Sequence, residues 1–286
     1  MFGCIVVLLG FSKKGFCISA IPLDLRNSRS CSMYNEAGTD FRFSARLQVK
    51  GLVMMIRRKS KDRGYAEFGG WLKSYHTFSF SDYYDPQHMA FRDLRVINQD
   101  SIAKDSGFPT HAHKDMEIIT YVLKGTVEHR DSLGNVGQIK AGEIQVMHAG
   151  TGMRHSEYNP SKTEDLELFQ VWILPDAAGV EPGYTQQLFT REQKLNQFKL
   201  MASKDGRNES QKIHQDVDMY ASVLEAGKTQ EFKLRSGRGV WIQLAEGELE
   251  VNGQILEAGD GLAVQEEELL KITAKKETEF LLFDLH

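Results

Sequence analysis

The chain has 286 residues, a length that suits two domains of ordinary size. Its content of 41% hydrophobic and 26% charged residues is that of a globular protein, and no segment reaches the ~18–20 consecutive apolar residues of a membrane-spanning helix. The net charge of −4 argues against binding nucleic acid through bulk electrostatics. We therefore expect small molecules as partners, with neither direct nucleic-acid binding nor a membrane.

Residues 1–53 differ in character from the rest of the chain. All the cysteines lie before residue 32, so the body of the protein has neither a disulfide framework nor a thiolate metal site, as expected for the reducing cytoplasm. The apolar run 2–11 lacks the preceding basic residues of a signal peptide, whereas Met54 opens a sequence typical of a cytosolic start. We interpret 1–53 as an extension, either disordered or a start assigned in error.

After residue 55, short β-type runs alternate with turns rich in Gly, Asn, Asp and Pro, a pattern typical of an all-β barrel or sandwich. In chain order, the clearest predicted strands are Arg92–Asn98, Met116–Leu123, Gly125–Arg130, Glu143–Met147 and Leu166–Ile173. Hairpin turns are predicted at 132–135 and at Asn252-Gly253. One short helix is predicted near Thr190–Asn196, where it begins the link between the halves.

An internal repeat divides the chain. Three segments of the first half return in the same order in the second half, namely 124–128, 137–143 and 167–174 as 246–250, 253–260 and 279–285. Self-similarity of this kind marks repeated structural units, so we predict a duplicated β-barrel with units of about a hundred residues. We place the first barrel at residues 54–180 and the second at residues 181–286.

The pair His111 and His113 carries the chemistry of the first barrel. In a strand, residues i and i+2 point to one face about 6.6 Å apart, so one metal ion can bind both imidazoles. His155 and Glu157 repeat this spacing later in the chain. If both strands line one barrel, the four groups form a mixed nitrogen and oxygen site suited to Fe(II), Cu(II), Ni(II), Mn(II) or Co(II). Octahedral coordination would leave two open positions, which indicates a catalytic site.

Glu117 is an alternative carboxylate ligand. It follows His113 by four residues and shares its face under strict alternation, so spacing alone leaves Glu117 and Glu157 both open. The second copy has no comparable pair, and its histidines are His214 and His286. We interpret His214 as a linker histidine that lies at the surface or against the opposite barrel, and we expect no metal site in residues 181–286.

These residues stand in motifs that resemble those of known families. The two cupin motifs are matched by Gly107-x3-His-x-His-x3-Glu-x7-Gly125 and by Gly142-x5-His-x-Gly150 with His155-x3-Asn159. The segments 71–85, 94–98, 108–117 and 149–159 resemble the pirin family, and in particular the bacterial pirin-like proteins with quercetin 2,3-dioxygenase activity. The second cupin motif departs from the usual pattern by a longer gap and by His148 in place of proline. The resemblance extends over about residues 55–286.

The resemblance implies a bicupin, with two tandem jelly-roll β-barrels, a short helical link and one metal, usually iron, in the first barrel. It implies that the ligands are His111, His113, His155 and Glu157, and that Glu117 is not one. The implied activity is that of a dioxygenase that opens the central ring of a flavonol such as quercetin with O2 and releases a depside and CO. Glu157 would then also be the catalytic base that takes the proton of the flavonol 3-hydroxyl.

The same resemblance allows a second interpretation, because eukaryotic pirins are iron-dependent regulators that bind transcription factors. The protein would then bind a protein partner through a charged patch, without catalysis. A dioxygenase instead needs a cavity for a three-ring substrate beside the metal. The lack of a basic stretch favours the cytoplasmic enzyme, although cupin folds also carry other chemistries, such as isomerases and dioxygenases for other enolic substrates.

Overall fold

The structure is a computed structural model, and it describes residues 5–12, 15–22 and 54–286. Strands β1 (Ile5–Ser12) and β2 (Gly15–Pro22) pair antiparallel and belong to a unit of their own, Met1–Val49. The interpretation of residues 1–53 as an extension or a wrongly assigned start otherwise lies outside the described residues. None of the helices in the described ranges is long and apolar enough to cross a membrane.

The regular secondary structure of residues 54–286 is almost entirely β. The first half contains β3 (Met54–Arg58), β4 (Gly64–Phe68), β5 (Leu72–His76), β6 (Leu94–Ile102), β7 (Ser106–His113), β8 (Glu117–Lys124), β9 (Thr126–Asp131), β10 (Val136–Lys140), β11 (Glu143–His148), β12 (Met153–Asn159), β13 (Leu166–Ile173) and β14 (Gly183–Leu188). The second half contains β15 (Lys199–Ser203), β16 (Gln211–Lys212), β17 (Val217–Leu224), β18 (Thr229–Lys233), β19 (Gly239–Glu246), β20 (Glu248–Val251), β21 (Gln254–Glu257), β22 (Gly261–Gln265), β23 (Leu269–Ala274) and β24 (Thr278–Leu285). Helix α1 (Arg191–Lys194) links the halves, and 3-10 turns lie at Ser60–Asp62 and Arg207–Glu209.

Each half is built from one seven-stranded and one four-stranded sheet. In the first half their strand orders are β14-β11-β8-β13-β6-β5-β4 and β10-β9-β12-β7. In the second half they are β16-β15-β17-β24-β19-β22-β3 and β18-β23-β20-β21. Buried apolar side chains from both sheets form a core within each half. This repeated architecture confirms the prediction of two tandem β-barrels with a short helical link.

Two strands cross the predicted boundary between the barrels. β3 pairs antiparallel with β22, so the first strand after residue 53 extends a sheet of the second barrel. β14 lies beyond residue 180 but pairs antiparallel with β11 of the first barrel. Thus β3, from before residue 180, pairs with a strand of the second barrel, and β14, from after it, pairs with a strand of the first. Each pairing protects a backbone edge that would otherwise be unpaired. The division at residue 180 itself stays a prediction.

The local elements follow the sequence pattern closely. The strand predicted at Leu166–Ile173 is β13 with the same bounds, and that predicted at Arg92–Asn98 is β6, which begins and ends later. Asn252 and Gly253 form the predicted tight turn, with φ angles of 44° and 86° that such hairpin turns require. The predicted helix is α1, which is shorter than the segment predicted for it and begins with Thr190 as its capping residue.

The two barrels share a hydrophobic core as well as a partly buried polar contact around Lys194. One cluster of buried side chains includes Trp241 of β19, whose ring lies 4.8 Å from that of Phe78 in the first half. Lys194 at the end of α1 is 4% exposed. Its Nζ donates to the hydroxyl of Tyr121 on β8 at 2.7 Å and to the carboxylate of Glu279 on β24 at 2.8 Å. The linking helix therefore fastens one barrel to the other.

We predict that Lys194→Ala lowers the free energy of unfolding by about 2 kcal/mol, because the buried hydroxyl of Tyr121 and the partly exposed carboxylate of Glu279 lose their cationic donor. Denaturant unfolding monitored by fluorescence measures the change. Lys204→Ala is the matched control, since it breaks an exposed pair with Asp176 and should cost at most about 1 kcal/mol. Equal losses for the two variants would contradict this role of Lys194.

Candidate metal centre

The register of three neighbouring strands brings the predicted ligands together. β12 lies between β7 and β9 in the four-stranded sheet. His155 on β12 is directly opposite His111 on β7 and Asp131 on β9. Facing residues of antiparallel strands have Cβ atoms about 4.5–5.5 Å apart, so these side chains meet on one face of the sheet. The two spaced pairs predicted from the sequence thus lie on adjacent strands.

A β-bulge adjusts this register. His155 pairs with His111, but Glu157 pairs with Phe108, so β7 has one extra residue between the two pairs. The extra chain includes Pro109, whose carbonyl oxygen accepts a hydrogen bond from Nδ1 of His111 at 2.9 Å. Bulges are frequent beside active sites because they redirect side chains. Here the bulge fixes the imidazole of His111 with its proton on Nδ1, so that Nε2 has a free electron pair for a metal.

The three histidines form a compact group. Their ring centroids lie 4.7 Å apart for His111 and His113, 4.5 Å for His111 and His155, and 4.9 Å for His113 and His155. One ring nitrogen from each lies within 4.8 Å of the other two. His155 is 1% exposed, whereas His111 and His113 are half-buried. Three potential nitrogen ligands therefore converge, and two of them belong to partly exposed side chains.

Two residues of β9 orient the most buried histidine. Nδ1 of His155 lies 3.4 Å from Nδ1 of His129, and Nε2 of His129 lies 3.2 Å from the carboxylate of Asp131. The ring of His129 also stacks on Tyr184 at 4.5 Å. The carboxylate of Asp131 accepts from Nε2–H of His129, which leaves Nδ1 of His129 as an acceptor. His155 can then donate to it from Nδ1, so the proton of His155 lies on Nδ1. Carboxylate and histidine partners of this kind orient metal ligands and increase their basicity.

The remaining nitrogen of His155 indicates that a metal fits. Nε2 of His155 is buried without a hydrogen-bond partner in the described part of the chain. A buried polar atom left unsatisfied costs about 1–3 kcal/mol, and native proteins rarely keep one without a reason. A metal ion bound to Nε2 would satisfy it. The chemistry of the donor set agrees, since imidazole nitrogens suit divalent transition metals.

The electrostatics of the group favour metal over protons. Burial is the main cause that lowers the pKa of His155 to about 3 and that of His113 to about 4, and neighbouring imidazoles lower both further. Both side chains are therefore neutral at pH 7. Because only neutral imidazole binds a metal, no proton has to leave these two ligands on binding near neutral pH.

Glu157 lies on the same face of β12, but amide groups hold its carboxylate. Gln170 donates to its two oxygens at 2.9 and 3.2 Å, and Gln145 and the hydroxyl of Thr120 each donate to it at 3.2 Å. Among the described residues, the ring nitrogens of the three histidines lie within 4.8 Å of one another, and Glu157 is not part of this group. The negative charge of Glu157 nonetheless acts on His113, where it partly offsets the lowering of the pKa of that imidazole. Its role as the fourth ligand stays a prediction.

Glu117, the alternative carboxylate, is engaged elsewhere. Its oxygens contact Nδ1 of His148 at 2.6 Å and Nδ1 of His214 at 3.2 Å, and these three residues form a separate group. The structure therefore does not bring Glu117 to the three histidines. It also places His214 against the first barrel, which is one of the two positions predicted for it.

Sequence reasoning missed the residues that support the ligands. His129 and Asp131 have the same i, i+2 spacing as the two predicted pairs, so a search for a third such pair would have found them. Gln145 and Gln170 had no comparable signal. Polar residues in otherwise apolar strands become informative only once strand pairing shows which carboxylate they face.

Comparison with known proteins adds family relationships to this geometry. A family model described as pirin matches residues 57–173, and one described as a quercetinase C-terminal cupin domain matches residues 200–285. The chain is 50% identical over 232 residues to a quercetin 2,3-dioxygenase of Escherichia coli strain K12, which covers 81% of this chain and 99% of the relative. It is 41% identical over 231 residues to a pirin-like protein of Caulobacter vibrioides, and this match covers 80% of this chain and 99% of the relative.

Solved structures show the same relationship. A bacterial pirin from Escherichia coli in complex with nickel(II) has a TM-score of 0.78 and 49% sequence identity, with 81% of this chain and 99% of that chain covered. A protein from Geobacillus kaustophilus at 20% identity shares the fold alone, with a TM-score of 0.65. The family models together cover both barrels of the structure.

We predict that His129→Phe weakens metal binding about 10- to 100-fold, the usual effect of losing a group that orients a metal ligand. Phenylalanine keeps a ring against Tyr184 but cannot contact Nδ1 of His155. Competition with a chelator of known affinity measures the change. His155→Ala should abolish binding, and His88→Phe, at a half-buried histidine outside the group, should leave affinity unchanged. An affinity of His129→Phe within twofold of the native value would contradict the orienting role.

Proposed function

Because the chain belongs to the pirin family of two-barrel cupin proteins, we propose that it is a metal-dependent dioxygenase that opens the central ring of a flavonol such as quercetin. The observation that carries the proposal is the convergence of three imidazoles around the unsatisfied Nε2 of His155. The choice of substrate is supported by the Escherichia coli relative named quercetin 2,3-dioxygenase, which is 50% identical to this chain over 232 residues.

We propose that His111, His113 and His155 hold one divalent transition metal, with iron(II) as the first candidate and Glu157 as the fourth ligand. When bound, the metal supplies a Lewis-acidic, redox-capable centre for the substrate oxygen and dioxygen. Pro109 and His129 fix the orientation of the imidazoles before the metal binds. This preorganisation keeps the open side of the site in one place.

Glu157 is the group that we assign to proton transfer. Ring opening requires the flavonol 3-hydroxyl to lose its proton, and a carboxylate positioned beside it can accept that proton. Hydrogen bonds from Gln170, Gln145 and Thr120 fix the carboxylate on the inner face of β12. Oε1 accepts from all three side chains, whereas in the described residues Oε2 accepts from Gln170 alone, so we assign the proton transfer to Oε2. We assign the release of a depside and CO to the same reaction.

Aromatic side chains border the half-buried histidines. The edge of Trp172 lies against His113 with ring centroids 5.0 Å apart, and Phe108 lies 6.3 Å from His111. Phe80 packs on Trp172 in turn, at 5.3 Å. Flat aromatic substrates gain binding energy from such rings, since aromatic pairs contribute about 0.5–1.5 kcal/mol beyond the area they bury. This border is suited to a flavonol rather than to a strongly charged ligand.

We expect protein reconstituted with iron(II) to consume O2 and release CO in equal amounts when quercetin is added. Parallel samples with Cu(II), Ni(II), Mn(II) and Co(II) identify the competent metals. Glu157→Gln should lower turnover about 10²- to 10⁴-fold, the usual contribution of a general base. Glu128→Gln, at a neighbouring position on β9 whose carboxylate pairs with Arg130, is the matched control and should retain turnover.

Stoichiometric metal binding without turnover for any of the five metals would contradict a flavonol dioxygenase. That result would favour the alternative of a metal-dependent regulator with a protein partner. Turnover that survives His155→Ala would instead contradict the proposed metal ligands, whatever the substrate.

A further inference from the structure

A second group of metal-binding side chains lies where the two barrels meet. Glu117 begins β8, and His148 ends β11, directly opposite Glu117 in the sheet of the first barrel. His214 follows β16 in a sheet of the second barrel. We propose that Glu117, His148 and His214 form a second binding site for a divalent transition metal, which joins the barrels.

The donor atoms already face one another. Nδ1 of His148 lies 2.6 Å from Oε2 of Glu117, and Nδ1 of His214 lies 3.2 Å from Oε1. One ligand atom from each residue lies within 4.8 Å of the other two. Ligands bound to a metal at about 2.0–2.1 Å lie about 3.3 Å apart in tetrahedral geometry, so small side-chain rotations suffice to admit an ion.

Charge balance is the main physical argument. The side chain of Glu117 is 1% exposed, and in the described part of the chain its ion pairs are with His148 and His214 alone. Buried carboxylates are normally paired with a cation or bound to a metal, because an isolated buried charge is very costly. A metal ion would supply the charge and use the same three groups.

The donor set and its exposure define the kind of metal. Two imidazoles and one carboxylate form the ligand set of zinc sites with an open position, and also suit Fe(II), Mn(II), Co(II) and Ni(II). The imidazole of His148 is 12% exposed and that of His214 is 30% exposed, so an ion can enter and water can complete the coordination. This group shares no residue with the three-histidine site, so the proposal does not depend on the dioxygenase activity.

The site also explains a contact between the barrels. The backbone N–H of His214 donates to Oε2 of Glu117 at 3.2 Å, and its carbonyl oxygen accepts from the N–H of Asp176 at 2.7 Å. The loop of the second barrel is therefore already held against the first barrel. A metal ligated by His214 would strengthen this attachment, as any ligand that binds only the folded state stabilises it.

The test is a cobalt(II) titration of the metal-free full-length chain with its cysteines alkylated, followed by visible absorption and chelator competition. We expect the native chain to bind two equivalents. His111→Ala/His113→Ala should retain one, and His148→Gln/His214→Gln should also retain one, with the lost equivalent bound at least about tenfold more weakly. His88→Gln is the matched control, because its imidazole contacts Asp85 at 2.7 Å outside either group, and it should still bind two.

Thermal unfolding gives a second readout. Cobalt(II) should raise the melting temperature of His111→Ala/His113→Ala, and a further His214→Asn should remove that shift. If the native chain binds one equivalent that His111→Ala/His113→Ala abolishes, or if two equivalents survive His148→Gln/His214→Gln, the proposal is wrong and the three residues form only a hydrogen-bonded contact. A single equivalent that His111→Ala/His113→Ala retains and His148→Gln/His214→Gln abolishes would instead contradict the three-histidine site and support this one. If that double variant does not fold, the stoichiometry of the native chain and the response of the His214→Asn variant decide the question.

Discussion

The candidate metal centre depends on the register between β12 and its two neighbours. His155 faces His111 on one side and Asp131 on the other, so one strand carries both a proposed ligand and the link to the group that orients it. A shift of one residue would send the side chains of β12 to the opposite face of the sheet. The bulge in β7 adjusts this register locally and lets Pro109 fix the proton of His111. Backbone pairing therefore determines both which side chains meet and which nitrogen atoms are free.

Burial then decides the chemistry of these side chains. The pKa values of His155 and His113 are lowered to about 3 and about 4, so the protein holds neutral imidazoles close together at neutral pH. A metal bound to Nε2 of His155 would remove the cost of burying that atom without a partner. Metal binding would then also stabilise the fold, because the folded chain without metal carries an unsatisfied group that the unfolded chain does not.

The sequence was sufficient to predict the features that depend on spacing. Period-two spacing placed His111 with His113 and His155 with Glu157, and the internal repeat predicted two barrels, because these features depend on local alternation and chain order. That the two pairs meet was implied by the resemblance to the pirin family. The sequence could not predict that β3 and β14 cross between the barrels, since strand exchange leaves no local pattern. Spacing also could not separate Glu117 from Glu157. That difference depends on which residues the carboxylates meet across the sheet, and only strand pairing determines it.

The two carboxylates illustrate how partners assign roles within one barrel. Glu157 accepts hydrogen bonds from the amides of Gln145 and Gln170, which fix the position of its carboxylate on β12. Glu117 is surrounded by imidazoles, which can exchange a hydrogen bond for a metal bond. One of those imidazoles comes from the second barrel. The second barrel and its linking helix thus contact the first barrel in two polar places, through Glu279 and Lys194 at the hydroxyl of Tyr121 and through His214 at Glu117.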